Sequence, residues 1–75
     1  MGFLPSLKPY RVLKVLKKAG FFVHHQTGSH VVLKHIADKS KRVIVPVHKK
    51  DLKIRTIRSI ISEAGFTVEG FKKLL

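Results

Sequence analysis

Two short stretches of this chain carry side chains able to do proton chemistry near neutral pH, Gly28-Ser29-His30 and His48-Lys49-Lys50. Histidine is the side chain whose ordinary pKa lies closest to neutrality, so it can take up or give back a proton while a phosphodiester is cut. Lysines beside it can stabilise the negative charge that builds on the phosphate oxygens. The chain has sixteen Lys and Arg against four Asp and Glu, a net charge of +12 over 75 residues, which would draw a polyanion toward such a centre.

Gly28 allows a positive φ in a tight turn and Ser29 is small, so His30 can emerge at the start of a strand where another backbone comes close. His30 is therefore the candidate general base or acid, and the bland alternative is an ordinary histidine at a strand end. His48 is a candidate partner if its strand pairs with that of His30; the alternative is that it caps or packs its loop. Gly28, Ser29, Lys34, Lys41, Arg42, Lys49 and Lys50 are candidate RNA-contacting residues, against the alternative of a solvated basic face. His24, His25 and His35 read as exposed strand residues. Metal chemistry has little support in the spacing, because there is no cysteine and no His-x-x-x-His pair on a helix. No metal ligand and no cofactor is assigned. Ser29 is a poor rival nucleophile, since adjacent residues on a strand point to opposite faces.

The elements that must hold these residues follow from the hydrophobic period. Pro9 suits a first helical turn, and Val12, Leu13, Leu16 and Ala19 fall on one face before Gly20 ends the helix. Residues 21–26 and 30–35 read as strands joined at Thr27-Gly28, and 42–47 as a third after a turn over 37–41. Val43, Ile44 and Val45 are β-branched, while Pro46 has no N–H to give, so the third strand ends there or lies at an edge. Val31 and Leu33 are expected to face inward, which puts His30 and Lys34 on the open face. A second helix over residues 54–64 carries Ile54, Ile57, Ile61 and Ala64 on one side and closes at Gly65. Thr67 reads as the N-cap of a short third helix over 68–75, with Phe66 and Phe71 at the spacing of a hydrophobic staple. The implied architecture is an α+β two-layer sandwich, α-β-β-β-α plus a short C-terminal helix, with the helices on one sheet face. That arrangement recurs in double-stranded RNA-binding domains.

Length allows one small domain over 1–75, with 1–7 expected to be disordered or loosely ordered. A hydrophobic content of 44% with clear periodicity argues for a folded domain and against a basic tail. No apolar run approaches membrane-spanning length, so no membrane partner is expected. The absence of cysteine suits a reducing cytoplasm.

Four segments together resemble the HicA family of bacterial and archaeal toxins, and they occur in that family's order. They are Leu16-Lys17-Lys18-Ala19-Gly20-Phe21, Gly28-Ser29-His30, Val45-Pro46-Val47-His48, and the run from Thr56 to Gly65. Each is weak alone, and their joint occurrence over most of residues 8–75 is specific. The resemblance implies a small messenger-RNA-cleaving toxin with a double-stranded-RNA-binding-like fold, a catalytic histidine at His30, and an acidic HicB-like antitoxin as partner. One departure is Arg55, where the family often has Gly before the threonine; it bears on the start of the second helix and not on His30.

Two other classes use the same residues. A non-catalytic RNA-binding module would keep the basic surface and lose nothing on replacing His30. A protein-interaction domain would direct its charge at an acidic partner and would not bind RNA in a salt-dependent way.

Overall fold

The computed structural model describes residues 4–75. Its elements run α1 (Pro9–Lys18), β1 (Phe21–Thr27), β2 (His30–His35), β3 (Arg42–Pro46), α2 (Ile54–Ala64) and α3 (Val68–Lys73). The three strands form one antiparallel sheet in the order β1-β2-β3, so β2 is central and β1 and β3 are edges. The helices lie on one face: α1 packs on β1 and β3, α2 on β3, and α3 on α2. This is the α+β two-layer sandwich implied by the hydrophobic periods.

The core is entirely apolar, and no polar or charged residue among those described is buried. From α1 it takes Pro9, Val12, Val15 and Leu16, positions separated by three or four residues, as a helix needs to bury one side. From the sheet come Phe21, Val31, Leu33, Val43 and Val45. From α2 come Ile57, Ile60, Ile61 and Ala64. Ile54, expected on that stripe, lies at its rim with 36% exposure, and Ile60 takes the central place at 1%. Phe71 of α3, fully buried, closes the end of the core. The Thr67 hydroxyl accepts from the Gly70 N–H at 3.0 Å, and the Phe66 and Phe71 rings meet edge-on 5.8 Å apart, so the cap and the staple form together.

The opening segment departs from expectation. Residues 1–3 lie outside the described residues, but Leu4 and Leu7 are each only 6% exposed and belong to the core. Leu7 bridges Leu52, whose N–H donates to the Leu7 carbonyl at 2.7 Å. A stretch without periodicity is tied down here by a partner 45 residues away, which no local pattern announces.

His35 also departs from its reading as an exposed strand residue. Its ring is half-buried and meets Phe21 edge-on at 4.9 Å. The ring Nε2 lies 2.9 Å from the Ala19 carbonyl, and Nδ1 accepts from the N–H groups of Ala37 and Asp38, both at 3.1 Å. Nδ1 can accept only in the neutral ring protonated on Nε2, so Nε2–H donates to Ala19. One side chain thus joins the end of α1, the start of β1 and the turn after β2. Gly20, at φ +97, runs so close that a Cβ there would sit 2.8 Å from His35 Nε2. Beyond it, Asp38 accepts from the Ser40 hydroxyl at 2.6 Å and the Ser40 N–H at 3.1 Å, and these bonds hold its carboxyl below the usual carboxylate range.

Replacing His35 by Ala leaves Ala19 O and two backbone N–H groups without their partner, a cost of about 1–3 kcal/mol. At about 4–8 °C per kcal/mol for a domain of this size, thermal unfolding followed by circular dichroism should show Tm lowered by roughly 10 °C. An unchanged Tm would show that the ring does not hold these three segments together.

Candidate functional site

Gly28 and Ser29 form a two-residue hairpin turn, with Thr27 and His30 as its closing pair. Gly28 has φ +55, and among the described residues every positive φ falls on a glycine, so the turn has the pattern of type II′. A Cβ at Gly28 would meet nothing within 4 Å, so glycine answers to the dihedral alone and the surface above the turn is open. The Gln26 side-chain amide braces the turn by donating to the Gly28 carbonyl at 3.3 Å.

His30 is exposed at the first position of the central strand, paired with Thr27 on one side and Pro46 on the other. Val31 and Leu33 point into the core at 4% and 0% exposure, and His30 and Lys34 stand on the opposite face, as alternation requires. Val32 also belongs to that open face yet is only 5% exposed; it sits mid-strand between its register partners His25 and Ile44. Among the described residues the His30 ring has no hydrogen-bond partner, which leaves both nitrogens available to a bound molecule.

The other candidates fall into two groups at opposite ends of the sheet. Next to His30, the Val47 N–H donates to the Ser29 carbonyl at 2.6 Å, so the chain leaving β3 is bound to the turn that precedes His30. His48 follows directly, and exposed Lys49 and Lys50 continue the loop. Gly28, Ser29, His30, His48, Lys49 and Lys50 therefore share one end of the sheet. Lys34 pairs with Arg42 in register, four residues farther along β2. At about 3.3 Å per residue that is roughly 13 Å from His30 along the strand. Lys41 belongs with neither group: its ammonium lies beside Gly65, where a Cβ would approach Nζ to 3.0 Å, so it extends along the end of α2.

His24 and His25 are exposed, as expected, but they are not independent. The β1–β2 register shifts between Val23 and His25, a bulge that leaves His24 unpaired. The two Nδ1 atoms come within 2.8 Å, so one ring donates to the other. Lys34 is the main cause that holds the His24 pKa below its ordinary 6.5, followed by partial desolvation, His25 and Arg42. No group of three or more His, Asp or Glu side chains suited to a metal ion comes together among the described residues.

The rest of the loop completes the end near His30. Beyond His48, Lys49 and Lys50, the loop continues through Asp51 and Leu52 to Lys53, and with Pro46 and Thr56 these residues line a cavity of about 570 Å³. Lys8 latches it from outside, its ammonium donating to the Lys49 carbonyl at 2.8 Å and pairing with Asp51 at 3.3 Å. The one available signal was composition: four of the six residues from His48 to Lys53 are His or Lys.

A basic two-layer sheet-and-helix domain of double-stranded-RNA-binding type, with an exposed histidine at a hairpin tip, is the class that fold and site define. The profile of the family described as the HicA toxin of bacterial toxin-antitoxin systems matches residues 10–66, and the chain belongs to that family. The match takes in all three strands, the His30 turn and the whole of α2. No curated protein matches the chain. Family membership makes it the toxin of a toxin-antitoxin pair. Among the described residues no helix is long and apolar enough to cross a membrane.

The electrostatic picture of the open face is checked by NMR titration of the histidine rings. His24 should titrate below its ordinary value, and Lys34→Gln should move it upward because the largest repulsion on the imidazolium is removed. A His24 titration that Lys34→Gln leaves in place would show that the two side chains do not share that face.

Proposed function

We propose that this chain is a metal-independent endoribonuclease that cuts messenger RNA, with His30 as the general base or acid. The observation that supports it most is the placement of His30, exposed beside an open glycine turn and flanked by the basic segment from His48 to Lys50. In this reading RNA supplies its own nucleophile. His30 takes the proton of a 2′-hydroxyl, the 2′-oxygen bonds to phosphorus, and the bond to the 5′-oxygen breaks as that oxygen receives a proton from the acid partner. His48, one residue beyond the backbone bond between Val47 and Ser29, is the candidate for that partner. Lys49 and Lys50 stabilise charge on the non-bridging oxygens. Gly28 and Ser29 let the substrate backbone approach, and Lys34, Lys41 and Arg42 contribute attraction at longer range. The antitoxin is a HicB-like acidic protein whose charge complements the +12 of this chain, and both act in the cytoplasm.

The purified chain should cut single-stranded RNA without added metal, leave 2′,3′-cyclic phosphate ends, and spare DNA. His30→Ala should abolish cutting with the fold intact by circular dichroism. Full activity in that variant would remove His30 from the chemistry. In an oligonucleotide with one 2′-deoxy sugar at the cleaved position, cutting there should stop; continued cutting would exclude attack by the 2′-hydroxyl.

RNA binding by His30→Ala should weaken steeply with salt, because each lysine that touches phosphate releases condensed counterions. Replacing Lys49 and Lys50 together by Gln should reduce the slope of log affinity against log salt by about 1 to 2 units. An unchanged slope would take that loop out of the binding surface, and binding insensitive to salt would favour an interaction domain for an acidic protein.

A further inference from the structure

We infer that the cavity between Pro46 and Thr56 is a binding pocket for a single ribonucleotide next to the phosphate that His30 acts on. The inference rests on the ribonuclease reading and adds to it a defined subsite, with Lys53 and Thr56 as positioning residues. Its volume, about 570 Å³, is within the range of pockets that take small ligands and exceeds what a phosphate alone needs. Pro46, only partly buried, gives it an apolar surface on which a base or ribose can lie, with the buried Leu52 beneath as its floor. His48, Lys49, Lys50 and Lys53 supply donors and positive charge, and the Thr56 hydroxyl can both donate and accept. This mixture suits a nucleotide better than a bare anion.

Charge in the pocket is one-sided. Its acidic residue, Asp51, is paired with Lys8 at 3.3 Å, which leaves the lysines of the loop facing the cavity without a carboxylate of their own loop to neutralise them. The walls are also fixed in place. Lys8 holds the Lys49 carbonyl, Leu7 and Leu52 bridge, and Leu52 is only 2% exposed, so a loop of basic residues is anchored at its centre in the core. Pro46 is at once a wall of the pocket and the register partner of His30, so the pocket lies along the strand that pairs with the one carrying that histidine. A nucleotide seated here would fix which phosphate of a flexible single strand comes to His30.

The test is a titration of the full-length chain with adenosine 3′-monophosphate, followed by backbone amide NMR, with inorganic phosphate and adenosine as separate probes. Amides from Val47 to Thr56 should shift saturably with the nucleotide, and each of the two fragments should bind at least tenfold more weakly. Lys53→Gln and Thr56→Val should each weaken the nucleotide by about 3- to 10-fold, the worth of one hydrogen bond, while Lys53→Arg retains it. The same spectra report whether each variant is folded. Phosphate binding as tightly as the nucleotide would overturn the pocket in favour of a general anion surface, and so would shifts confined to other parts of the chain. A chain that binds the nucleotide here but cuts no RNA overturns the ribonuclease reading and not the pocket. A His30-dependent ribonuclease whose pocket amides stay still overturns the pocket alone.

Discussion

The alternation of β2 is the constraint on which the rest of the molecule depends. It is hydrogen-bonded on both sides, and its Val31 and Leu33 are buried against Val45 and Val43 of β3 in the core layer. A slip of one residue would bury His30 and Lys34 and expose the two hydrophobes, losing apolar burial and desolvating charge together. The register that keeps the core dry is thus the same one that holds His30 out in water. The two-residue turn before it and the Val47–Ser29 backbone bond after β3 then fix His30 from both neighbouring strands. Stability and the exposure of His30 are set by one pairing.

Charge works against this small core. A net +12 on 75 residues disfavours the compact state through self-repulsion, and a single exposed pair such as Lys8–Asp51 offsets little of it. The fold answers by keeping its buried layer wholly apolar and spreading the cations over separate surfaces: the outer side of α1, the Lys34–Arg42 end of the open face, and the loop from His48 to Lys53. A polyanion or an acidic protein would relieve what remains, and under the proposed function the same surplus serves attraction to RNA and capture by an antitoxin.

How much of this could be read in the sequence depends on the range of the interaction concerned. Helices, strands and caps follow from local periodicity and from Gly20, Gly65 and Thr67, and their ends differ from expectation by a residue or two. The facing of His30 came from alternation on one strand, which is local as well. Three features were illegible for one shared reason, that each is made by residues distant in the chain. Leu4 and Leu7 look like an unpatterned start until Leu52 arrives to bridge the segment. His35 looks like any exposed histidine until Ala19, Phe21 and the turn at Ala37 and Asp38 surround it. Lys53 and Thr56 gain meaning only when the loop folds back beside Pro46. The bulge at His24 was hidden differently: β1 carries polar and apolar residues on both faces, so nothing in its pattern marks where the pairing shifts.

The strap before α1 gives the site a dependence that its own residues do not reveal. Leu7 and Lys8 are far in sequence from His30, yet they hold the loop from His48 to Lys53 through a backbone bridge, a carbonyl and an ion pair. That loop joins β3 to α2, and its first residues are bound back to Ser29. Leu52 is buried, so the loop cannot lift at its centre without opening the core. The exposed lysines on either side keep the freedom of their side chains while their backbone is held. Under the proposed function, a main chain anchored in the core with exposed cations on it suits RNA, a flexible polyanion, because the ammonium groups can adjust to phosphates whose spacing varies. The basic loop is therefore less a solvated tail between two elements than a part of the core that happens to present its charge outward.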